Sequence, residues 1–231
     1  MADKRAPLVK GITPKGLSVW PKLNKPDEYQ GKKSYSVKLV LSSEDAAELI
    51  NKIDTAISAS EVDTRAKLED AIKNGKTGDV KAKAKKALAA LVTATPYADE
   101  VDDDGEPTGN VVFKFKANAE YKDKKTDQLK PITIPLFDSK GQPTKASIWG
   151  GSIIRVAYEL VPYFVASSNT CGVSLRISGV KIIELVSGGG AGRSASALGF
   201  GEDEGGYEAD SLEGDESSGD DDSSSDDTED F

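Results

Sequence analysis

The 231-residue sequence has no histidine, a single cysteine and a single methionine. Without histidine there is no Ser-His or Cys-His nucleophilic pair, no imidazole general base and no His-ligated metal. Cys171 alone makes neither an internal disulfide nor a four-thiolate zinc site, which fits a reducing compartment. No apolar run approaches the roughly twenty residues of a membrane span, and Met1-Ala2-Asp3-Lys4-Arg5 lacks the apolar core of a signal peptide. These absences exclude histidine- and thiolate-based catalytic and metal sites and predict a soluble protein with no membrane partner, which stays where it is made; no cofactor is expected.

What is present is charge, distributed unevenly. The net charge is −9, yet residues 202–231 hold fifteen of the thirty-nine acidic residues and no Lys or Arg. The preceding 201 residues carry thirty basic against twenty-four acidic groups, so a body of +6 is joined to a tail of −15. Dense like charge padded with Ser and Gly cannot bury enough apolar surface to offset the entropy of ordering, so the composition predicts a disordered acidic tail. Residues 187–201, with Gly188-Gly189-Gly190 and Gly192, read as a flexible linker. Residues 1–186, roughly 185 residues, suffice for one domain with a well-buried core.

Along that domain, 1–16 is a basic, turn-rich arm containing Lys4, Arg5, Lys10 and Lys15. Leu17, Val19 and Trp20-Pro21 suggest a short strand, and the Pro and Gly of 24–33 suggest a loop. Tyr35, Val37, Leu39 and Leu41 alternate with polar residues as in a half-buried strand. Ser42 or Ser43 followed by Glu44 and Asp45 reads as a helix cap, and Ala46, Leu49, Ile50, Ile53 and Ile57 recur at helical spacing. The spacing predicts a helix over 43–58, a second near 62–72 and a third over 79–92, a helical excursion of about 43–95 within a β domain. The acidic 96–110 reads as an exposed loop. Phe113, Phe115, Ala117 and Ala119 then alternate with Lys114, Lys116, Asn118 and Glu120, with a hairpin to Ile132, Ile134 and Leu136 expected after the 122–127 turn. Strands over 153–161 and 172–186 complete a mainly β pattern without strand–helix alternation, which argues for a small antiparallel barrel or sandwich.

Catalytic and metal candidates fail on spacing. Glu100, Asp102 and Asp104 imitate the start of a calcium loop, but Val111 stands where a bidentate Glu is required. Among Asp123, Asp127, Asp138, Glu159 and Glu184 no interval selects a pair for acid–base or two-metal work, which disfavours a nuclease. The basic and aromatic residues fit a chemistry better. Unpaired bases stack on flat side chains while cations neutralise phosphates. Lys114 and Lys116 share a strand face, Lys122, Lys124 and Lys125 fill the next turn, and Arg155 and Arg176 interrupt apolar strands. Tyr121, Trp149, Tyr158, Tyr163 and Phe164 are interleaved with them. A single aromatic in a β domain is more often core than base platform, and Phe113 and Phe115 alternate cleanly enough to be core. Tyr163 and Phe164 follow Pro162, which should end or bend its strand at the surface. Lys81, Lys83, Lys85 and Lys86 spread around a helix as a solvated face.

Phe113-Lys114-Phe115-Lys116, Asp123-Lys124-Lys125-Thr126, Asp138-Ser139-Lys140-Gly141, Gly150-Gly151-Ser152, Tyr158-Glu159-Leu160-Val161-Pro162-Tyr163 and Val180-Lys181-Ile182-Ile183-Glu184-Leu185 follow one another in order, ahead of an acidic tail ending Asp230-Phe231. In this the chain resembles the replicative single-stranded-DNA-binding proteins of short-tailed lytic bacteriophages. The resemblance implies an OB-fold barrel that binds single-stranded DNA without strong sequence preference in phage DNA replication, recombination and repair, in the cytoplasm of an infected bacterial host. It implies Tyr158 and Tyr163 as stacking residues, with Lys114 and Lys116 on the backbone. It also implies an acidic tail, Asp226, Asp227, Glu229, Asp230 and Phe231 at its tip, that competes with DNA and contacts a replicative polymerase and a helicase-primase; a homodimer is a separate expectation. Phe164 departs from the family's aliphatic-basic position. From another class, an acidic-tailed histone-chaperone-like or DNA-mimic interaction protein fits the same charge asymmetry.

Overall fold

The computed structural model describes residues 8–123 and 125–186. The expected linker and tail, the first seven residues and Lys124 lie outside the described residues.

Five long strands make a closed barrel. β2 (Gly16–Tyr29) and β3 (Lys32–Ser42) form a hairpin whose turn, Gln30-Gly31, has positive φ at both residues, the backbone that lets a two-residue connection follow strand twist. β3 pairs β6 (Pro107–Asn118), β6 pairs β11 (Thr170–Glu184), β11 pairs β10 (Ile153–Val165), and β10 returns to β2 through Leu17↔Ile153 and Gly16↔Ile154. At that closure a Cβ on Gly16 would stand 2.7 Å from the Leu39 and Leu41 side chains, so the missing side chain lets the strands meet. The circular order is that of an OB-fold. The barrel is not purely antiparallel as the strand pattern suggests: β6 and β11 run parallel at Phe115↔Leu175 and Lys116↔Arg176. A parallel step cannot be a hairpin, and the intervening chain supplies the long crossover it needs.

The period-two residues point inward as expected. Val37, Leu39, Leu41, Phe113, Phe115, Ile154, Val156, Val173 and Leu175 are all buried. α1 (Ser43–Asn74) packs against this barrel with Ala46, Leu49, Ile53 and Ile57, and Ser42 Oγ caps it by accepting from Asp45 N–H at 3.1 Å. The two helices expected over 43–58 and 62–72 are one. No Gly or Pro separates them, and Glu61–Arg65 and Asp63–Lys67 pairs at i,i+4 support the middle of the 32-residue helix. Buried Ser60 donates to the Gly172 carbonyl at 3.1 Å, tying this stretch to β11. α2 (Gly78–Ala89) follows, burying only Ala84, and β4 (Val92–Ala94) adds parallel to β11.

Other expectations are corrected. Residues 24–33 are mostly strand: β2 continues through Pro21 and Pro26 because its register breaks there absorb the missing donors. The acidic 96–110 stretch is a hairpin, β5 (Tyr97–Val101) on β6, its tip closed by Asp102 accepting from the N–H groups of Asp104 and Glu106. Pro162 does not end β10, which runs on to Val165. The strand on its other side, β1 (Val9–Ile12), pairs only as far as Leu160, so Pro162 sits where no second neighbour asks for its N–H. The 122–127 turn joins β7 (Glu120–Lys122) to β8 (Leu129–Pro131) in a separate two-stranded sheet, and β9 (Leu136–Phe137) lies parallel to β11 instead of extending that hairpin.

Candidate nucleic-acid interface

Because side chains directly opposite one another across strands share a face, the register places distant residues in one row. On the outer face the pairs Lys22↔Ser36, Ser36↔Lys116, Lys116↔Arg176, Arg176↔Glu159 and Glu159↔Lys10 run without a break across β2, β3, β6, β11, β10 and β1. At ~4.8 Å per strand this row spans about 24 Å. Lys38↔Lys114 is the next outward pair on β3 and β6. Among the described residues, Lys22, Lys38, Lys114 and Lys116 have no carboxylate partner, and all four are exposed. Packed, desolvated faces do not collect unpaired lysines. A ladder of them gives this barrel wall a positive potential, which a polyanion would complement.

The single acidic member is Glu159. One carboxylate oxygen meets Lys10 Nζ at 2.8 Å, and the other accepts from the Arg176 guanidinium, with Nε at 3.0 Å. Those two cations, Lys10 first, hold its carboxyl below the usual carboxylate range. Tyr163, four residues further along β10, lies on the same outward side, half-buried over Gly172. Phe164 points to the opposite side and is 36 % exposed. Pro162, Tyr163 and Phe164, with Ser60, Thr64 and Leu68 of α1, line a groove of about 200 Å³ at this end of the barrel.

The predicted residues therefore divide. Lys114 and Lys116 lie in or beside the row, and Tyr163 flanks it. Tyr158 does not reach this surface: it is 2 % exposed, packed against Phe115 at 6.1 Å between ring centres and covered by Gly11, whose Cβ would stand 2.5 Å from the phenol oxygen. Burial pushes its hydroxyl pKa up. Arg155 stands further down β10 opposite Lys181, half-buried, its Nε without a hydrogen-bond partner among the described residues. Tyr121 is half-exposed on β7, away from the row, near the β2–β3 turn through Ala119 N–H to the Lys33 carbonyl and the Lys33–Glu120 pair. Two of the lysines in and beside the turn after it are paired. Lys122 pairs with Asp127 at 2.8 Å and Lys130 with Asp123, while Lys124 lies outside the described residues.

Trp149 is 45 % exposed at the end of a segment docked along β2, where Asn24 bonds the Ala146 carbonyl and the Ile148 N–H and Ser18 Oγ donates to the Trp149 carbonyl. On β2 itself Trp20 has φ +51° at a register break and is 75 % exposed. Sequence reading missed Trp20, as it missed Tyr29 beside the β2–β3 turn and Lys22 and Lys38 in the cationic ladder. The signal for Trp20 was its neighbour: a Trp-Pro step inside a strand invites a bulge, and bulges turn side chains outward. Cys171 is fully buried and burial pushes its thiol pKa up, so it is no exposed nucleophile.

The family model described as "Single-stranded DNA-binding protein, Bacteriophage T7" matches residues 18–185. The chain belongs to this family. The match takes in every member of the row except Lys10. Curated relatives are the single-stranded DNA-binding proteins of Enterobacteria phage T3, 36 % identical over 117 residues, and of Escherichia phage T7, 36 % identical over 111. The T3 alignment covers 50 % of each chain, and the T7 alignment 47 % of this chain and 45 % of its relative, so the chain spans about half the length of the curated relatives it matches. Among solved structures, gp2.5, a single-stranded DNA-binding protein encoded by bacteriophage T7, superimposes with a TM-score of 0.63 at 24 % identity, over 88 % of this chain and all of that one. That likeness establishes the shared fold. No helix among the described residues is long and apolar enough to cross a membrane.

Proposed function

We propose that this protein binds single-stranded DNA along the outer face of its barrel without enzymatic activity, and protects the strand during phage DNA replication, recombination and repair. The observation that carries the reading is the cross-strand row of Lys22, Lys116, Arg176 and Lys10 with Lys38 and Lys114 beside it, inside a chain of the T7 single-stranded DNA-binding family. Cations on successive strands follow the phosphates, and Tyr163, Trp149 and Trp20 offer rings to the bases, while Phe164 faces the other side of β10 and stays off this track. Arg155, outward on β10 opposite Lys181, continues this face, whereas Tyr121 lies off it on β7 and Lys124 is outside the described residues.

The acidic tail, 202–231, acts as an internal rival for the cations, tethered by 187–201. Its tip, Asp226, Asp227, Glu229, Asp230 and Phe231, engages the replicative polymerase and helicase-primase, in the cytoplasm of an infected bacterium and in a homodimer. Titration of a fluorescent oligo-dT with the full chain and with a chain ending at Gly201, across a salt series, tests both parts. Binding that weakens steeply with salt, and a shorter chain that binds more tightly at low salt, are the expected results. No binding at any salt would overturn the DNA reading in favour of an interaction protein, and equal affinities would remove the tail's competing role.

A further inference from the structure

The outer-face row has one member of the wrong sign for a phosphate track. Glu159 sits in register with Arg176 on one side and Lys10 on the other, and its two carboxylate oxygens each take one of them. The carboxylate is the covered partner, with its side chain 15 % exposed, while Lys10 and Arg176 are 72 % and 46 % exposed. Two solvent-facing cations thus converge on a single shielded anion, in line with Lys116 and Lys22. Two oxygens sharing a negative charge, accepting from an ammonium and a guanidinium, reproduce the contacts that a backbone phosphate would make at the same place.

We infer that Glu159 is a built-in competitor for DNA phosphate, holding Lys10 and Arg176 in the free protein and yielding them to the strand on binding. The inference rests on the outer face being the DNA track. Its consequence is a tuned affinity: two of the row's four cations are available only to a ligand that displaces a carboxylate. Because Lys10 lies on β1, displacement also releases the side-chain tie between β1 and β10, leaving the Val9–Ile12 backbone ladder in place.

The test compares Glu159→Gln and Glu159→Ala in the full chain with Glu48→Gln, which removes the same charge from α1, where Glu48 pairs with Lys52. Dissociation constants for oligo-dT are measured across a salt series, and melting temperatures are recorded for each variant. Both Glu159 variants are expected to bind about three- to tenfold more tightly at low salt, with the slope of log K against log salt steeper by about 0.7 for each cation freed. Glu48→Gln should stay within about twofold of the unsubstituted chain. Unchanged or weaker binding by both Glu159 variants at an unaltered melting temperature, or an equal gain from Glu48→Gln, would overturn the inference. An unsubstituted chain that fails to bind oligo-dT would instead remove the DNA reading itself.

Discussion

Tyr158 and Tyr163 stand five residues apart on β10, an odd interval, and so face opposite sides of the sheet. Tyr158 joins Ile154, Val156 and Leu160 on the buried side, whereas Tyr163 follows Arg155 and Glu159 outward. The family resemblance names both as stacking residues, but the two cannot do the same work from opposite faces. The alternation of Ile154, Val156, Tyr158 and Leu160 is present in the sequence and sets Tyr158 on the apolar side of the strand, a period that the motif match does not weigh. Tyr158→Ala should lower stability in urea unfolding by about 3–5 kcal/mol, as large-to-small core changes do. Tyr163→Ala should leave the unfolding midpoint nearly unchanged and cost about 1–3 kcal/mol in oligo-dT affinity, with Tyr163→Phe retaining most of it because stacking needs the ring. A Tyr163→Ala variant that melts earlier and binds as before would place that ring in the core as well.

α1 shows where local signals suffice and where they do not. The Ser42-Ser43 pair, with Glu44 and Asp45 in the first turn, placed its start within one residue, because a cap is a contact between neighbours in sequence; the structure selects Ser42. Its length was misread since Ser60 and Thr64 take the places where the apolar stripe would continue. Ser58 bonds back to the Asp54 carbonyl at 2.9 Å, and Ser60 and Thr64 are buried polar residues whose use appears only once the helix meets β11 and the β10 end. β4, β5 and β9 were missed for a related reason: short strands are defined by the partner they add to, and the acidic 99–106 run gave no apolar alternation. Tyr97 is typical, its hydroxyl donating to Asp54 at 2.8 Å and so joining β5 to α1 across forty-three residues of sequence. Burial, then that bond, pushes its pKa up to about 12. Ser42→Ala should destabilise the fold by about 1 kcal/mol in urea unfolding, with Ser42→Asp restoring most of the loss; no change on Ser42→Ala would mean that the cap adds nothing to a helix already held by its buried face.

At the scale of the whole molecule the separation of charge was legible from composition, but the track was not. Lys22, Lys38, Lys116, Arg176 and Lys10 are scattered over 167 sequence positions, and only the register of six strands assembles them. The same sequence offers a rival cationic surface on α2, where Lys81, Lys83, Lys85 and Lys86 are exposed and only Ala84 is buried. Lysine footprinting separates the two surfaces most directly: the full chain is briefly acetylated with and without saturating oligo-dT, and protection is read at each site by mass spectrometry. The barrel track predicts protection of Lys22, Lys38, Lys114 and Lys116 with Lys81, Lys83, Lys85 and Lys86 still reactive; protection confined to α2, with the barrel lysines unchanged, would contradict it.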